Sequence, residues 1–396
     1  MREKKLLFLF MQQLVVVTYF SLTSLIFLLA FNKDHEGISL NLFGGGDDGY
    51  FYWEQAKNIS HGQDAILTSI YPVIIGYLLK ITGIENVYII RLFNLLGFII
   101  LLILSYYTVS LIFKFNDIRL EKSYIYDAKN LLLICFLCYS SLLMYANLSI
   151  FRDIWIYSLY LLSVILSIKL IFQRNNKLLN IFLLLPVLWL LGEFRSYALL
   201  GFVLSISCYF FYKILIKRFN LVFIIFSIFV VYGVYYTIYI DFNVPIVNKS
   251  LRDILNYRWS GLTIYFGGSQ MNIRLDESNY FIFLINYVHS YIGNLIGPLP
   301  WHIKGISTLI IFFIESIPML LILYFLWKKR DILTIVQKYI LVHFFVWIGL
   351  IAISNDNLGT ATRLRAVGWI LVLIVFVVTY INNKFNKKIS NNMKNP

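Results

Sequence analysis

The 396 residues include only three cysteines and seven prolines. Cys135, Cys138 and Cys208 each sit inside an apolar stretch, so neither a disulfide framework nor a zinc site organises the chain. The CxxC formed by Cys135 and Cys138 has helical spacing within an apolar run and reads as packing. Charge is also scarce. Only 14% of the residues are Asp, Glu, Lys or Arg, against 60% hydrophobic, a balance that no soluble domain of this size carries without large exposed apolar patches. There is no Walker loop and no GxSxG elbow, and His289 and His302 have no metal-ligand spacing, which removes P-loop, serine-hydrolase and protein-held zinc chemistry.

Long apolar runs fill the space these absences leave. Ten segments approach the ~20 residues needed to cross a bilayer as a helix: 6–31, 88–113, 131–149, 154–172, 178–192, 197–216, 221–240, 306–326, 339–353 and 366–381. Alternating strands of barrel type are absent. The first run is too long for a signal peptide and no small-residue cleavage site follows it, so it reads as a retained anchor. The expected fold is all-α: a polytopic transmembrane helix bundle of about ten spans, with short amphipathic helices on the outer face. Residues 1–381 form one transmembrane domain with outer loops 32–87 and 241–305, and 382–396 is a basic tail without fixed structure.

Net charge is +14, and with a cytoplasmic N-terminus the short inner loops hold most of the Lys and Arg. That bias puts both termini in the cytoplasm of a plasma-membrane protein. Its basic loops face anionic lipid, so no nucleic-acid partner is needed to explain the charge.

The outer charges are the candidates for function. In GGGDDGYFYWEQAKNI, three glycines allow a sharp turn before Asp47 and Asp48, which open an amphipathic helix. Adjacent carboxylates repel when desolvated, which suits one to act as a base or both to hold a divalent cation. The same residues also suit an N-cap and a favourable charge at a helix N-terminus. Tyr71-Pro72 marks a break from extended chain into helix, and Arg91 and Asn94 open the next span on one face, where Arg91 either serves the site or snorkels to the interface.

The run from Asp47 to Leu96, with DDGYFYWEQA, SIYPVIIGYLL and RLFNLLG, resembles the GT-C superfamily of integral-membrane glycosyltransferases, which includes protein O-mannosyltransferases and aminoarabinose transferases. The resemblance implies transfer, with inversion, of a sugar from a polyprenyl-phosphate donor to a glycan or lipid acceptor at the extracytoplasmic face. It gives Asp47 or Asp48 the role of catalytic base or acceptor-orienting group. The chain has no soluble C-terminal domain like that of the larger members, which leaves acceptor recognition open.

Three further outer turns carry charge: SIFRDIWIY with Arg152 and Asp153, LLGEFRSYALL with Glu193 and Arg195, and NDNLGTATRLRAVGW with Asp356, Arg363 and Arg365. Turns of the RD and FRSY kind look like those in membrane proteins of bacterial surface-polysaccharide assembly. A guanidinium fork matches phosphate oxygens, so Arg91, Arg152, Arg195, Arg363 and Arg365 are the candidate donor-phosphate ligands. Tyr71, Asp153, Glu193, Arg258, Trp259, Trp301, His302 and Glu315 are the candidate sugar and acceptor contacts. Glu315, deepest in its span, has Arg91 or Arg365 as possible partners. Two other readings remain: a polymerase or ligase of lipid-linked glycans, and a lipid or solute transporter whose charges line a pathway.

Overall fold

A computed structural model describes residues 2–32, 36–40, 48–115, 122–173, 175–215, 221–264, 269–276 and 279–394. The helices are α1 (Arg2–Phe31), α2 (Asp48–Ser60), α3 (Tyr71–Thr82), α4 (Val87–Lys114), α5 (Lys122–Cys138), α6 (Ser140–Asn147), α7 (Asp153–Phe172) and α8 (Lys177–Phe194). They continue as α9 (Ser196–Leu215), α10 (Leu221–Ile238), α11 (Leu251–Ile264), α12 (Tyr280–Ile296), α13 (Ile306–Lys328), α14 (Ile335–Ser354), α15 (Leu358–Leu364) and α16 (Ala366–Lys394). Among the described residues there are isolated β-bridges but no strands, as expected for backbone groups that must be satisfied within each segment in lipid.

Eight of these helices, α1, α4, α7, α8, α9, α13, α14 and α16, are long and apolar enough to cross a membrane. The chain is an all-helical, multi-pass membrane protein. Two sequence expectations change. The span expected at 131–149 is broken into α5 and α6, which meet at a 66° bend. Tyr139 is extended there (φ −82°, ψ 90°), and Asn147 at the end of α6 accepts a hydrogen bond from the Thr23 hydroxyl of α1 at 2.6 Å. The tail expected to lack structure continues α16 as helix to Lys394.

The chain forms two compact units, one of residues 1–195, 322–338 and 370–396, the other of 196–321 and 339–369. In the first unit small residues let helices approach closely. A Cβ on Gly97 of α4 would meet the Trp155 and Ile154 side chains of α7 at 3.1 and 3.2 Å, and the Ser158 hydroxyl donates to the Gly97 carbonyl at 3.0 Å. Tyr19 of α1 stacks on Phe98 of α4 at 3.6 Å between ring centres. The α2–α3 hairpin is equally tight, since a Cβ on Gly76 would stand 2.8 Å from Ile59.

The second unit is held by buried polar ties around an apolar cluster that includes Tyr236, Leu255, Met271, Ile273 and Phe283. Trp369 donates to the Leu295 carbonyl and Trp347 to the Leu364 carbonyl, each at 2.9 Å.

Candidate functional site

In the first unit, Arg91 fixes the segment that leads toward α2. It is 2% exposed, and its guanidinium donates to four backbone carbonyls: Gly37 at 2.8 Å, Ile38 at 2.8 Å, Asn147 at 2.6 Å and Leu148 at 3.5 Å. A bridge between Ser39 and Ser149 and a bond from the Leu40 N–H to the Leu148 carbonyl complete the staple. Residues 36–40 are thereby tied to the turn that presents Arg152 and Asp153. The sequence offered Arg91 as a phosphate ligand, but its donors point at carbonyls, and nothing in this geometry supports a phosphate role.

Asn94, one turn further along α4, works in the same direction. Its Nδ2 donates to the Phe151 carbonyl at 2.9 Å, while its Oδ1 accepts from the Tyr71 hydroxyl and the Trp155 indole N–H, both at 3.1 Å. Tyr71 is fully buried and its ring lies 6.3 Å from Phe194. The Ile70 N–H donates to the Glu193 carbonyl at 3.1 Å, so Glu193 joins this region through its backbone while its residue surface stays exposed.

Around this frame the charges gather. Asp48 is the first residue of α2, where the helix dipole favours a carboxylate, and it is exposed. Asp47 lies outside the described residues. Asp153, 2% exposed, begins α7 and accepts from Arg195 Nη1 at 3.1 Å; Arg195 follows the last residue of α8. The Arg152 guanidinium lies 5.7 Å from the centre of the Tyr52 ring.

Tyr52 is the hub. It is 3% exposed and packs edge-on against Tyr71 at 5.3 Å. Burial pushes its phenol up to about 12, a rise opposed by Arg152 and Arg195 and reinforced by Asp48 and Asp153. All four charges therefore act on one hydroxyl. The fold brings together Asp48, Tyr71, Arg152, Asp153 and Arg195 from the expected set and adds Tyr52, which the sequence reading passed over. Its signal was the i, i+4 spacing from Asp48 on one helix face, hidden in the aromatic run Tyr50–Trp53.

The second unit holds the remaining candidates in different surroundings. Arg258, 3% exposed, donates to the carbonyls of Ile273, Ala352 and Asn355, to the Ser290 hydroxyl and to Asp356 at 2.6 Å. Asp356 also accepts from the backbone N–H groups of Asn272 and Ile273. Burial lowers the guanidinium to about 10 and raises the carboxyl; their attraction opposes both shifts, and the two backbone donors oppose that of the carboxyl. With so many partners, this buried ion pair ties α11, α12 and the end of α14 to the segment at Asn272 and Ile273.

Glu315, 2% exposed, lies in a π-helical turn of α13, Phe312–Ser316. Of the two partners the sequence allowed, it pairs with Arg365, at 2.7 Å, and Arg365 also donates to the Gly297 carbonyl. Arg363 lies in the last turn of α15. Trp259 carries the Arg274 guanidinium 4.3 Å from its ring centre. Trp301 is 64% exposed and donates to His289 Nε2 at 3.0 Å. His302 is 3% exposed, accepts from the Leu299 N–H through Nδ1, and is pushed down to about 4 by burial, with His289 and Lys304 adding to the shift.

Among the described residues no three His, Cys, Asp or Glu side chains gather as a metal site. Neither a family model, nor a curated protein, nor a solved structure matches the chain.

Proposed function

We propose that the protein is a membrane glycosyltransferase of the GT-C type, transferring a sugar from a polyprenyl-phosphate donor to an acceptor at the extracytoplasmic face, with about ten spans and with α2 and α3 lying on that face. The observation that carries the reading is the convergence of Asp48, Tyr52, Arg152, Asp153 and Arg195 in the first unit, where two carboxylates and two guanidinium groups lie around one buried tyrosine. In this reaction the acceptor oxygen attacks the anomeric carbon as its proton passes to Asp48. The bond from that carbon to the phosphate oxygen breaks, and the electron pair leaves with the phosphate. Arg152 and Arg195 stabilise that anion, so no acid is needed for the leaving group. Asp153 holds Arg195 in place through their ion pair. Asp47, next to Asp48 in the chain, either shares the carboxylate role or joins it around a divalent cation.

A polymerase or ligase of lipid-linked glycans would also need arginines beside a pyrophosphate, and in the second long loop Arg258 is held by carbonyls and Asp356. The test is transfer of labelled sugar from polyprenyl-phosphate donors by the purified full chain, wild type against Asp48→Asn. A loss of at least two orders of magnitude in turnover with donor binding retained is expected. Undiminished transfer in Asp48→Asn and in the double variant with Asp47→Asn removes the base assignment.

A further inference from the structure

In the first unit Tyr19 stacks on Phe98 and Phe8 packs edge-on against Tyr106 at 5.0 Å, so α4 runs antiparallel to α1 and finishes where α1 begins. α5 begins at the same end, where Lys4 pairs with Asp127. Three lysines there lie over aromatic rings: Lys4 is 5.4 Å from the centre of Tyr124, Lys169 is 4.7 Å from that of Tyr107, and Lys129 is 5.6 Å from Phe8 and 5.9 Å from Tyr126. Lys4 has a counter-ion in Asp127, just as Lys57, over Trp53 at the opposite end, has Glu36 at 3.6 Å. Lys129 and Lys169 have none among the described residues. Of these two, Lys129 sits half-buried over rings of two different helices, α1 and α5. A ring face attracts a cation but offers no lone pair to its three N–H groups. Arg2 and Lys5, exposed at the start of α1, add further positive charge at this end.

We propose that the seam between α1 and α5 at Lys129 binds the phosphate of an anionic glycerophospholipid, the ammonium pairing with a phosphate oxygen while its stem stays over Phe8 and Tyr126. The site lies at the opposite end of these helices from Arg152 and Arg195 and is independent of the reaction proposed there. In the orientation that the charge bias implies, the lipid comes from the cytoplasmic leaflet, where basic pockets between helices attract anionic headgroups. The occupant follows from the chemistry of the seam. An uncompensated cation stands over ring faces, and beside it α1 shows Leu6, Leu9 and Phe10 at 57%, 44% and 61% exposure. A phospholipid meets both, with its phosphate on the ammonium and its acyl chains along α1. Free phosphate offers the same oxygens without the chains, and the experiment separates the two sources.

The experiment titrates the purified full chain, in a neutral detergent, with phosphatidylglycerol, phosphatidylcholine or inorganic phosphate and follows the rise of the thermal unfolding midpoint. Wild type is compared with Lys129→Met, Lys129→Gln, Lys129→Arg and Lys177→Gln. Methionine keeps the stem over the rings and removes the ammonium. Lys177, exposed at the start of α8, is the control for net charge. Phosphatidylglycerol is expected to raise the wild-type midpoint at concentrations where phosphatidylcholine and inorganic phosphate do not. Lys129→Met and Lys129→Gln are expected to need about fivefold more of it for the same rise, with Lys129→Arg and Lys177→Gln close to wild type. An equal requirement in wild type and Lys129→Met overturns the proposal, and so does an equal loss in Lys177→Gln, which would reduce the effect to bulk charge. Phosphatidylcholine or inorganic phosphate matching phosphatidylglycerol overturns the anionic lipid as occupant. A lipid-free midpoint lowered in both Lys129→Met and Lys129→Gln also overturns the proposal, because the lysine would then serve the fold.

Discussion

Replacing Arg91 by methionine separates a fold-holding arginine from a ligand-binding one. Methionine keeps much of the side-chain volume in a position that is 2% exposed but removes every donor. Three of the lost bonds, to Gly37, Ile38 and Asn147, are 2.6–2.8 Å long. Hydrogen bonds from a charged donor contribute about 1.5–3 kcal/mol each, so the gross loss is roughly 5–9 kcal/mol. Relief from burying the cation offsets part of it, leaving about 3–5 kcal/mol. Spread over a bundle of this size, that lowers the unfolding midpoint by about 4–6 °C. The eight tryptophans make intrinsic fluorescence in detergent a direct assay. Arg91→Lys is expected to recover only a minor part, because an ammonium cannot reproduce the planar fork. A midpoint unchanged in Arg91→Met, accompanied by lost binding of lipid phosphate, would refute the staple and return Arg91 to the ligand role that its sequence position suggested.

Other outcomes follow from the same geometry. Glu315→Ala leaves the Arg365 cation buried beside the Gly297 carbonyl and is expected to destabilise by about 3–5 kcal/mol, with the double variant carrying Arg365→Met recovering much of it; additive losses in a double-mutant cycle would contradict the pairing. His302, whose folded value is depressed to about 4, stays neutral in the folded chain while the unfolded chain takes up a proton below about 6.5. Its contribution is therefore complete above that pH and is lost as the pH falls from about 6.5 toward 4, and His302→Gln is expected to flatten that part of the stability profile. Gly76→Val drives a side chain into Ile59 and the Ala56 carbonyl, so the α2–α3 hairpin spreads and sugar transfer falls with Tyr71 displaced; full activity in this variant would show that the hairpin does not position the site.

Membrane helices were legible in the sequence because a span needs only a long apolar run, and the eight long apolar helices lie within or around runs found that way. The α5–α6 break was not, because no proline or glycine marks it. The bend sits at Tyr139, next to two serines, and hydrogen bonding between Thr23 and Asn147 from distant parts of the chain accompanies it. The charged turns of the first unit were also readable, since Arg152, Asp153 and Arg195 sit at helix ends. What each guanidinium faces was not. Arg91 and Arg258 look the same in sequence as an arginine that grips phosphate, and only the fold shows backbone carbonyls converging on them. Tyr52 escaped notice for the complementary reason: four aromatic residues in succession offer no hint of which one packs among charges.

The central proposal is that the first unit binds a lipid phosphate through Arg152 and Arg195. The most direct measurement is an experimental structure of the full chain with a polyprenyl phosphate bound. The account expects the phosphate oxygens within hydrogen-bonding distance of Arg152 and Arg195, with Asp48 left facing the acceptor side. A phosphate bound by Arg363 instead, with the charges around Tyr52 making no contact to ligand, would contradict it.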